Sequence, residues 1–233
     1  MNAPIEHIYA DRQALTLGMV DAIEATLLAA IAARGTACIA LSGGTTPIEV
    51  YKALSQRDLP WSQVQLTLTD ERWVEVSDPA SNEAMIRATL LQGPAAKARL
   101  TGFKTPAATP NQAEAQIDAA LATLIQPFDL VLLGMGEDAH TASLFPGGAG
   151  LDAAMDLAGR LRVRAVQPTG GGVARLSLTL PSLVSARRIA LLITGETKWT
   201  VYKKACELGP LLEAPVRGVL HQTSRPTEVF WAA

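Results

Sequence analysis

The chain has 233 residues, 48% of them hydrophobic and 18% charged, a composition that supports a buried core and excludes a disordered chain. Lys and Arg number 20 against 22 Asp and Glu, a net charge of −2, so no global basic field marks a binder of nucleic acid or anionic membrane. Any anion must therefore be caught locally. No apolar run is read as approaching the roughly 20 residues that span a bilayer. The start MNAPIEHIYADRQ lacks the charged and apolar regions of a signal peptide. Cys38 and Cys206 offer neither a zinc pattern nor a disulfide framework, so a cytoplasmic location is expected.

In chain order, His7 to Ala10 reads as a short edge strand. Asp11 opens a helical pattern with Leu15, Met19, Ile23, Leu27 and Ile31 four apart, ended by Gly35. Thr36 to Leu41 is a buried strand running into Ser42-Gly43-Gly44-Thr45-Thr46-Pro47. Thr46 fits an N-cap, Pro47 the first helical position and Glu49 the partner in a capping box. Val64 to Thr69 is a second strand ending on Asp70-Glu71-Arg72, and Ser81-Asn82-Glu83 starts a helix. Residues 93–110, rich in Ala, Lys, Thr and Pro, read as a surface excursion, followed by a helix from about Asn111 to Ile125. The Asp129 to Leu133 run is a central strand. Gly147 to Gly150 and Pro168 to Gly172 read as loops, the first flexible. Arg175 to Leu180 alternates like a strand, Arg188 to Thr194 is the last strongly buried one, and Thr227 to Trp231 adds a final strand. Strands alternating with helices imply one α/β domain over residues 1–233, Rossmann-like, with a mainly parallel sheet and helices on both faces.

Two stretches carry chemistry. Ser42 to Pro47 joins a strand, a Gly-rich turn and a helix start, which aims free backbone N–H groups and the positive helix end at one point, as an anion requires. The alternative is a plain tight strand-to-helix turn. It is not a Walker loop, because the Gly-Lys-Ser/Thr ending is absent. Asp129 to Pro146 carries Glu137, Asp138 and His140 off a strand's carboxyl end, where open α/β sheets bind ligands. Histidine changes charge near neutral pH, so His140 is a candidate base, with a helix-cap or packing role as the alternative. Gly134-Met135-Gly136-Glu137-Asp138-Ala139 matches G-x-G-x-x-A formally, yet two acids would face the pyrophosphate, so it is rejected as a dinucleotide fingerprint. Arg72, Arg175 and Lys198 each adjoin a predicted strand on the side of the Ser42 turn and suit a dianionic phosphate. No spacing nominates a third ligand for a metal.

With these residues in place the sequence resembles the 6-phosphogluconolactonases, within the wider superfamily that includes glucosamine-6-phosphate deaminase. The matching segments are LSGGTTP (41–47), TDERWV (69–74), SNEAM (81–85), LLGMGEDAHTASLFPG (132–147), RLSLTLP (175–181) and GETKW (195–199). Ala139 departs from the usual glycine. The resemblance implies hydrolysis of 6-phospho-D-glucono-1,5-lactone in the oxidative pentose phosphate pathway, with no metal and no organic cofactor. It implies that His140 activates water, with Asp138 or Glu137 orienting the imidazole. Backbone N–H groups near Gly134 to Gly136 are expected to face the oxyanion. Ser42, Gly43, Gly44, Thr45, Asp70, Arg72, Arg175 and Lys198 are expected to bind the substrate and its phosphate. The expected partner is the sugar-phosphate lactone alone, with no nucleic acid or membrane, in a monomer or weak homodimer. Two rivals are an amino-sugar-phosphate isomerase/deaminase and a non-catalytic sugar-phosphate-binding regulator. Arg72 stands where the deaminases carry tyrosine, and a regulator has no need of His140.

Overall fold

The computed structural model describes residues 3–233. Among them, ten strands run β1 (Ile5–Ile8), β2 (Ala37–Leu41), β3 (Val64–Leu68), β4 (Asp70–Arg72), β5 (Arg99–Thr101), β6 (Leu130–Leu133), β7 (Val163–Val166), β8 (Arg175–Leu178), β9 (Ile189–Thr194) and β10 (Glu228–Ala232). Seven form a fully parallel sheet in the order β1-β10-β9-β6-β2-β3-β5. Every residue of β2 and β6 is buried, which is why these strands read as unbroken apolar runs rather than alternating ones.

Helices surround this sheet: α1 (Arg12–Arg34), α2 (Ile48–Ser55), α3 (Asn82–Thr89), α4 (Pro110–Ala122), α5 (Leu151–Met155), α6 (Leu180–Ser185), α7 (Glu196–Ala205) and α8 (Arg217–Leu220). Helix α1 begins and ends where its sequence says. Asp11 accepts from Ala14 N at 2.8 Å, and Gly35, in the left-handed region at φ 77°, donates to Ile31 O at 2.7 Å. By length and composition α1 could cross a membrane, with mean hydropathy 1.7 over 18 residues. That corrects the expectation of no such run. Leucine, isoleucine, valine, methionine and many alanines raise its hydropathy although polar residues interrupt any unbroken apolar stretch. In the fold it is a core helix: Leu15, Met19, Ile23 and Leu27 are buried in the core, while Asp21 and Glu24 pair with Arg57.

Three expectations need correction. Residues 93–110 are not a mere surface excursion. They supply the edge strand β5, paired with β3, and bury Ala95 and Phe103 completely. Their Pro and Lys content masked a strand of three residues. Residues 147–150 do not form a loose loop, because Ala149 and Gln167 exchange backbone hydrogen bonds of 3.0 and 2.9 Å. The Arg175 strand stops at Leu178, and Leu180 already begins α6. A second sheet, antiparallel in the order β4-β8-β7, was not foreseen; short strands that leave the main sheet carry little periodicity.

The order of the main sheet sets the site. From β2 the chain steps to β3 and then β5, whereas from β6 it steps the other way, to β9 and β10. Neighbouring strands whose connections diverge leave a crevice at their carboxyl ends. That crevice lies between the Ser42 turn after β2 and the Gly134 loop after β6.

At the opposite end of the sheet, Glu228 closes β10 against its neighbours. It takes two bonds from Arg188, at 2.6 and 2.7 Å, and meets His7 Nε2 at 3.0 Å. Burial alone would raise this carboxyl, but the Arg188 bonds and charge, aided by His7, outweigh it and hold the pKa below the usual 4.5. A depressed carboxyl stabilises the fold above its unfolded pKa, and that contribution is lost as pH falls through the folded pKa. Glu228→Gln is therefore expected to lower the melting temperature at pH 7 by several degrees. The gap to the parent should close on acidification below about pH 4. Thermal melts of both proteins across pH 3–7 check this.

Candidate functional site

The first wall is the turn after β2. Helix α2 starts at Ile48, one residue later than the sequence suggests: Pro47 is the cap with a helical φ of −83°, and no side chain caps the helix. The capping box is absent, since Thr46 does not serve as the cap and Glu49 pairs instead with Lys52 at 2.8 Å. The reason is local. Ile48 N bonds Thr45 O, which makes 45–48 a turn, and the buried Tyr51 hydroxyl donates to Ser42 O at 2.7 Å and pins the turn from behind. The helix start is thus left without a side chain over it, which suits an anion better than a filled cap.

The second wall is the loop after β6, which folds back on itself. Gly136 N donates to His140 O at 3.0 Å, Ala139 N to Gly136 O at 3.1 Å, and Thr141 Oγ1 to Gly134 O at 2.8 Å. The Gly136 N–H is therefore engaged, which removes it from the amides expected to face an oxyanion. Asp138 Oδ1 meets His140 Nδ1 at 2.5 Å and also accepts from His140 N at 3.2 Å, whereas Glu137 is exposed. A carboxylate can only accept, so Nδ1 of the neutral ring carries the proton and Nε2 presents its lone pair. A Cβ at Gly136 would overlap both the imidazole and Asp138 Oδ1, so only glycine leaves room for this pair. Ala139 stands at φ 63° and Ala142 at φ 49°, conformations that favour glycine.

The small sheet supplies the charge. Arg72 and Arg175 are directly paired across β4 and β8, two like charges face to face. Each has a buried Nε with no partner. Burial first, then the Arg72 charge, draws Arg175 below the usual guanidinium value, with Asp70 and Glu71 opposing. Arg72 Nη1 is held by Ala80 O at 2.8 Å and Asn82 Oδ1 at 2.7 Å. Asp70 is buried and accepts from Ser143 Oγ at 2.5 Å and Thr69 Oγ1 at 3.1 Å. Glu71 is buried too, and burial raises its pKa against four hydrogen bonds, from Asn82 N, Glu83 N, Arg72 N and Ser81 Oγ.

All three parts open into one cavity of about 330 Å³. Ser42, Gly43, Gly44, Thr45, Asp70, Arg72, Arg175, Lys198 and His140 all line it. Asp138 does not; it stands behind the imidazole, half exposed. Phe145 joins the two ends. Its ring lies 4.4 Å from the His140 ring and 5.9 Å from the Arg175 guanidinium carbon. Asn82, Ser143 and Phe145 were not singled out from sequence. Asn82 lies in a segment that reads as a helix start, the partner of Ser143 is Asp70, 73 residues away, and Phe145 stands in the matched segment 132–147 with no role assigned to it. Among the described residues, no group of three or more His, Cys, Asp or Glu side chains comes together as a metal site would need.

Residues 10–231 match the family described as glucosamine-6-phosphate isomerases/6-phosphogluconolactonase. The chain is 40% identical to a 6-phosphogluconolactonase of Rhizobium meliloti over 97% of each protein. It is 42% identical to one of Mesorhizobium japonicum, over 96% of this chain and 93% of that protein. A crystal structure of a 6-phosphogluconolactonase from Shewanella baltica superposes with a TM-score of 0.96 at 36% identity, covering 100% of this chain and 99% of that one.

Two outcomes test the geometry of the loop. In long-range proton–nitrogen spectra, neutral His140 should carry its proton on Nδ1, and Gly136→Ala should abolish that bias while the fold survives. Retention of the Nδ1–H form in Gly136→Ala would mean that the ring is held by something other than Asp138. Ala139→Gly, which relieves a left-handed alanine, is expected to stabilise the protein by up to about 1 kcal/mol in chemical denaturation.

Proposed function

The chain belongs to the glucosamine-6-phosphate isomerase/6-phosphogluconolactonase family, and we propose that it hydrolyses 6-phospho-D-glucono-1,5-lactone to 6-phosphogluconate, in the oxidative pentose phosphate pathway. The observation that carries this reading is that a carboxylate-oriented imidazole and a pair of under-satisfied arginines share one cavity, joined by Phe145.

A δ-lactone is an activated ester, so the enzyme needs a base for water and a fixed substrate. His140 Nε2 takes a proton from the water that attacks C1, while Asp138 stabilises the imidazolium through Nδ1–H. The C1–ring oxygen bond then breaks, and the imidazolium returns the proton to the leaving ring oxygen. The new carboxylic acid ionises in water. At the other end the phosphate lies against the Ser42–Thr45 turn, with Arg72, Arg175 and Lys198 around it. Asp70 is assigned to sugar hydroxyls, because a carboxylate repels phosphate, and it balances the arginine charge beside it. Fixing the remote phosphate holds C1 over the base. These steps call on no metal or organic cofactor.

A single chain, taken as one unit over residues 1–233, supplies the whole site. We take it to act as a monomer or weak homodimer whose partner is the lactone, and its net charge of −2 gives no general attraction to nucleic acid or an anionic membrane. Two free cysteines support a cytoplasmic location. An isomerase/deaminase is disfavoured by Arg72 standing where the deaminases carry tyrosine, and a silent regulator by His140 at the cavity with Asp138 behind its ring.

His140→Ala is expected to lose about 10²–10⁴-fold in kcat with a smaller change in KM, measured on lactone generated in situ against its spontaneous hydrolysis. Near-parental turnover in the folded variant would remove His140 from the mechanism. Arg175→Ala and Lys198→Ala should instead raise KM by roughly tenfold or more, the loss of a charge-assisted hydrogen bond. An unchanged KM in both would discard the phosphate assignment.

A further inference from the structure

We propose that Asn82 is the positioning residue of the phosphate subsite, acting through Arg72; this deepens the phosphate assignment above and rests on it. Asn82 is only 2% exposed although it lines the cavity. Its amide is used at both ends. Oδ1 accepts from Arg72 Nη1 at 2.7 Å, and Nδ2 donates to Asp70 O at 2.8 Å. A guanidinium can only donate and a carbonyl can only accept, so the amide has one workable orientation. Neither aspartate nor alanine can reproduce both bonds.

The backbone of Asn82 is fixed just as firmly. Glu71 Oε1 accepts from Asn82 N at 2.7 Å and from Arg72 N at 2.8 Å, so one buried carboxylate grips the residue that holds and the residue that is held. Asn82 also lies against Gly43 in the turn after β2, where a Cβ would overlap its amide. Asn82 thus reaches Arg72, the backbone of Asp70 in β4 and the Ser42–Thr45 turn together. Arginine is a long, flexible side chain that loses rotamer freedom when it grips a ligand. Asn82 and Ala80 O hold Nη1 in place and leave Nε, buried and unpartnered, as a donor still to be used. An arginine tethered in this way meets a phosphate oxygen with its freedom already lost.

A double-mutant cycle tests the proposal. The dissociation constant of 6-phosphogluconate is measured by calorimetry on the full chain and on its Asn82→Ala, Arg72→Ala and doubly substituted forms. Asn82→Ala is expected to weaken binding roughly tenfold, and the double variant should bind no more weakly than Arg72→Ala alone. On the lactone, KM should rise in step while kcat moves by less than about threefold. Additive losses in the cycle, or unchanged binding in Asn82→Ala, would overturn the assignment. A merely structural asparagine would add its cost to either background and lower kcat as well. Should Asn82→Ala fail to fold, Asn82→Ser, uncharged and too short to bridge Arg72 and Asp70 O, carries the same cycle with the same expected outcome. The calorimetric arm needs no turnover. A non-additive cycle in a protein that leaves the lactone intact would reject the hydrolase reading while keeping Asn82. Full turnover with an additive cycle would do the reverse.

Discussion

Two neighbouring parallel strands, β2 and β6, part company at their carboxyl ends, and the site follows from that. Their register aligns Leu41 with Leu132, so the residues that leave the sheet next on each strand emerge side by side. One chain goes into the Ser42 turn and the other into the Gly134 loop, and no crossover covers the gap between them. The residues of β2 and β6 are all buried, so a one-residue slip would turn every side chain to the other face. Burial of the apolar strands is thus what places a polar crevice.

The small antiparallel sheet answers a different need. A protein of net charge −2 can hold a phosphate only if cations are concentrated in one place. Pairing Arg72 with Arg175 does that, at the cost of like-charge repulsion in a half-buried setting. Asp70 and Glu71 lie next to the pair and offset part of the repulsion. Both acids are occupied by protein donors, Ser143 and Thr69 on one and four groups on the other. They lower the cost of bringing the guanidinium groups together without occupying the Nε donors. The arrangement is incomplete until an anion arrives, which suits binding better than stability.

How much of this was legible in the sequence depends on how local the determining interaction is. Asp11, Gly35 and Ser81 act within a turn of their own helices, and each ends or begins a helix where its chemistry says. The central strands were readable from apolar runs, and so was the meeting of His140 with the Ser42 turn, since both leave strand ends. The failures share a cause. Thr46 looked like a cap because side-chain chemistry allowed it, but Tyr51 and the 45–48 turn set a different backbone path. The β4-β8-β7 sheet joins Asp70 to Ser177 and Arg72 to Arg175, contacts about a hundred residues apart that no window of sequence contains. Asn82 was visible as part of a helix start, while its hold on Arg72 needed the fold.

The loop that carries His140 is held by its main chain as much as by its side chains. Left-handed alanines at 139 and 142 cost about 1–2 kcal/mol each relative to ordinary backbone. Against that stand the bonds Gly136 N–His140 O, Ala139 N–Gly136 O, Thr141 Oγ1–Gly134 O and Val216 N–Ala139 O, each worth about 0.5–1.5 kcal/mol net. The two sums are of the same size, so alanine at 139 is tolerated rather than favoured, and its left-handed conformation is imposed by the ring of bonds around it. Gly136 has no such latitude, because the space a Cβ would need is already filled by His140 and Asp138. Backbone closure fixes where the imidazole starts, and Asp138 fixes which nitrogen it offers. The arginine end of the same cavity is joined to the imidazole by Phe145, which touches both.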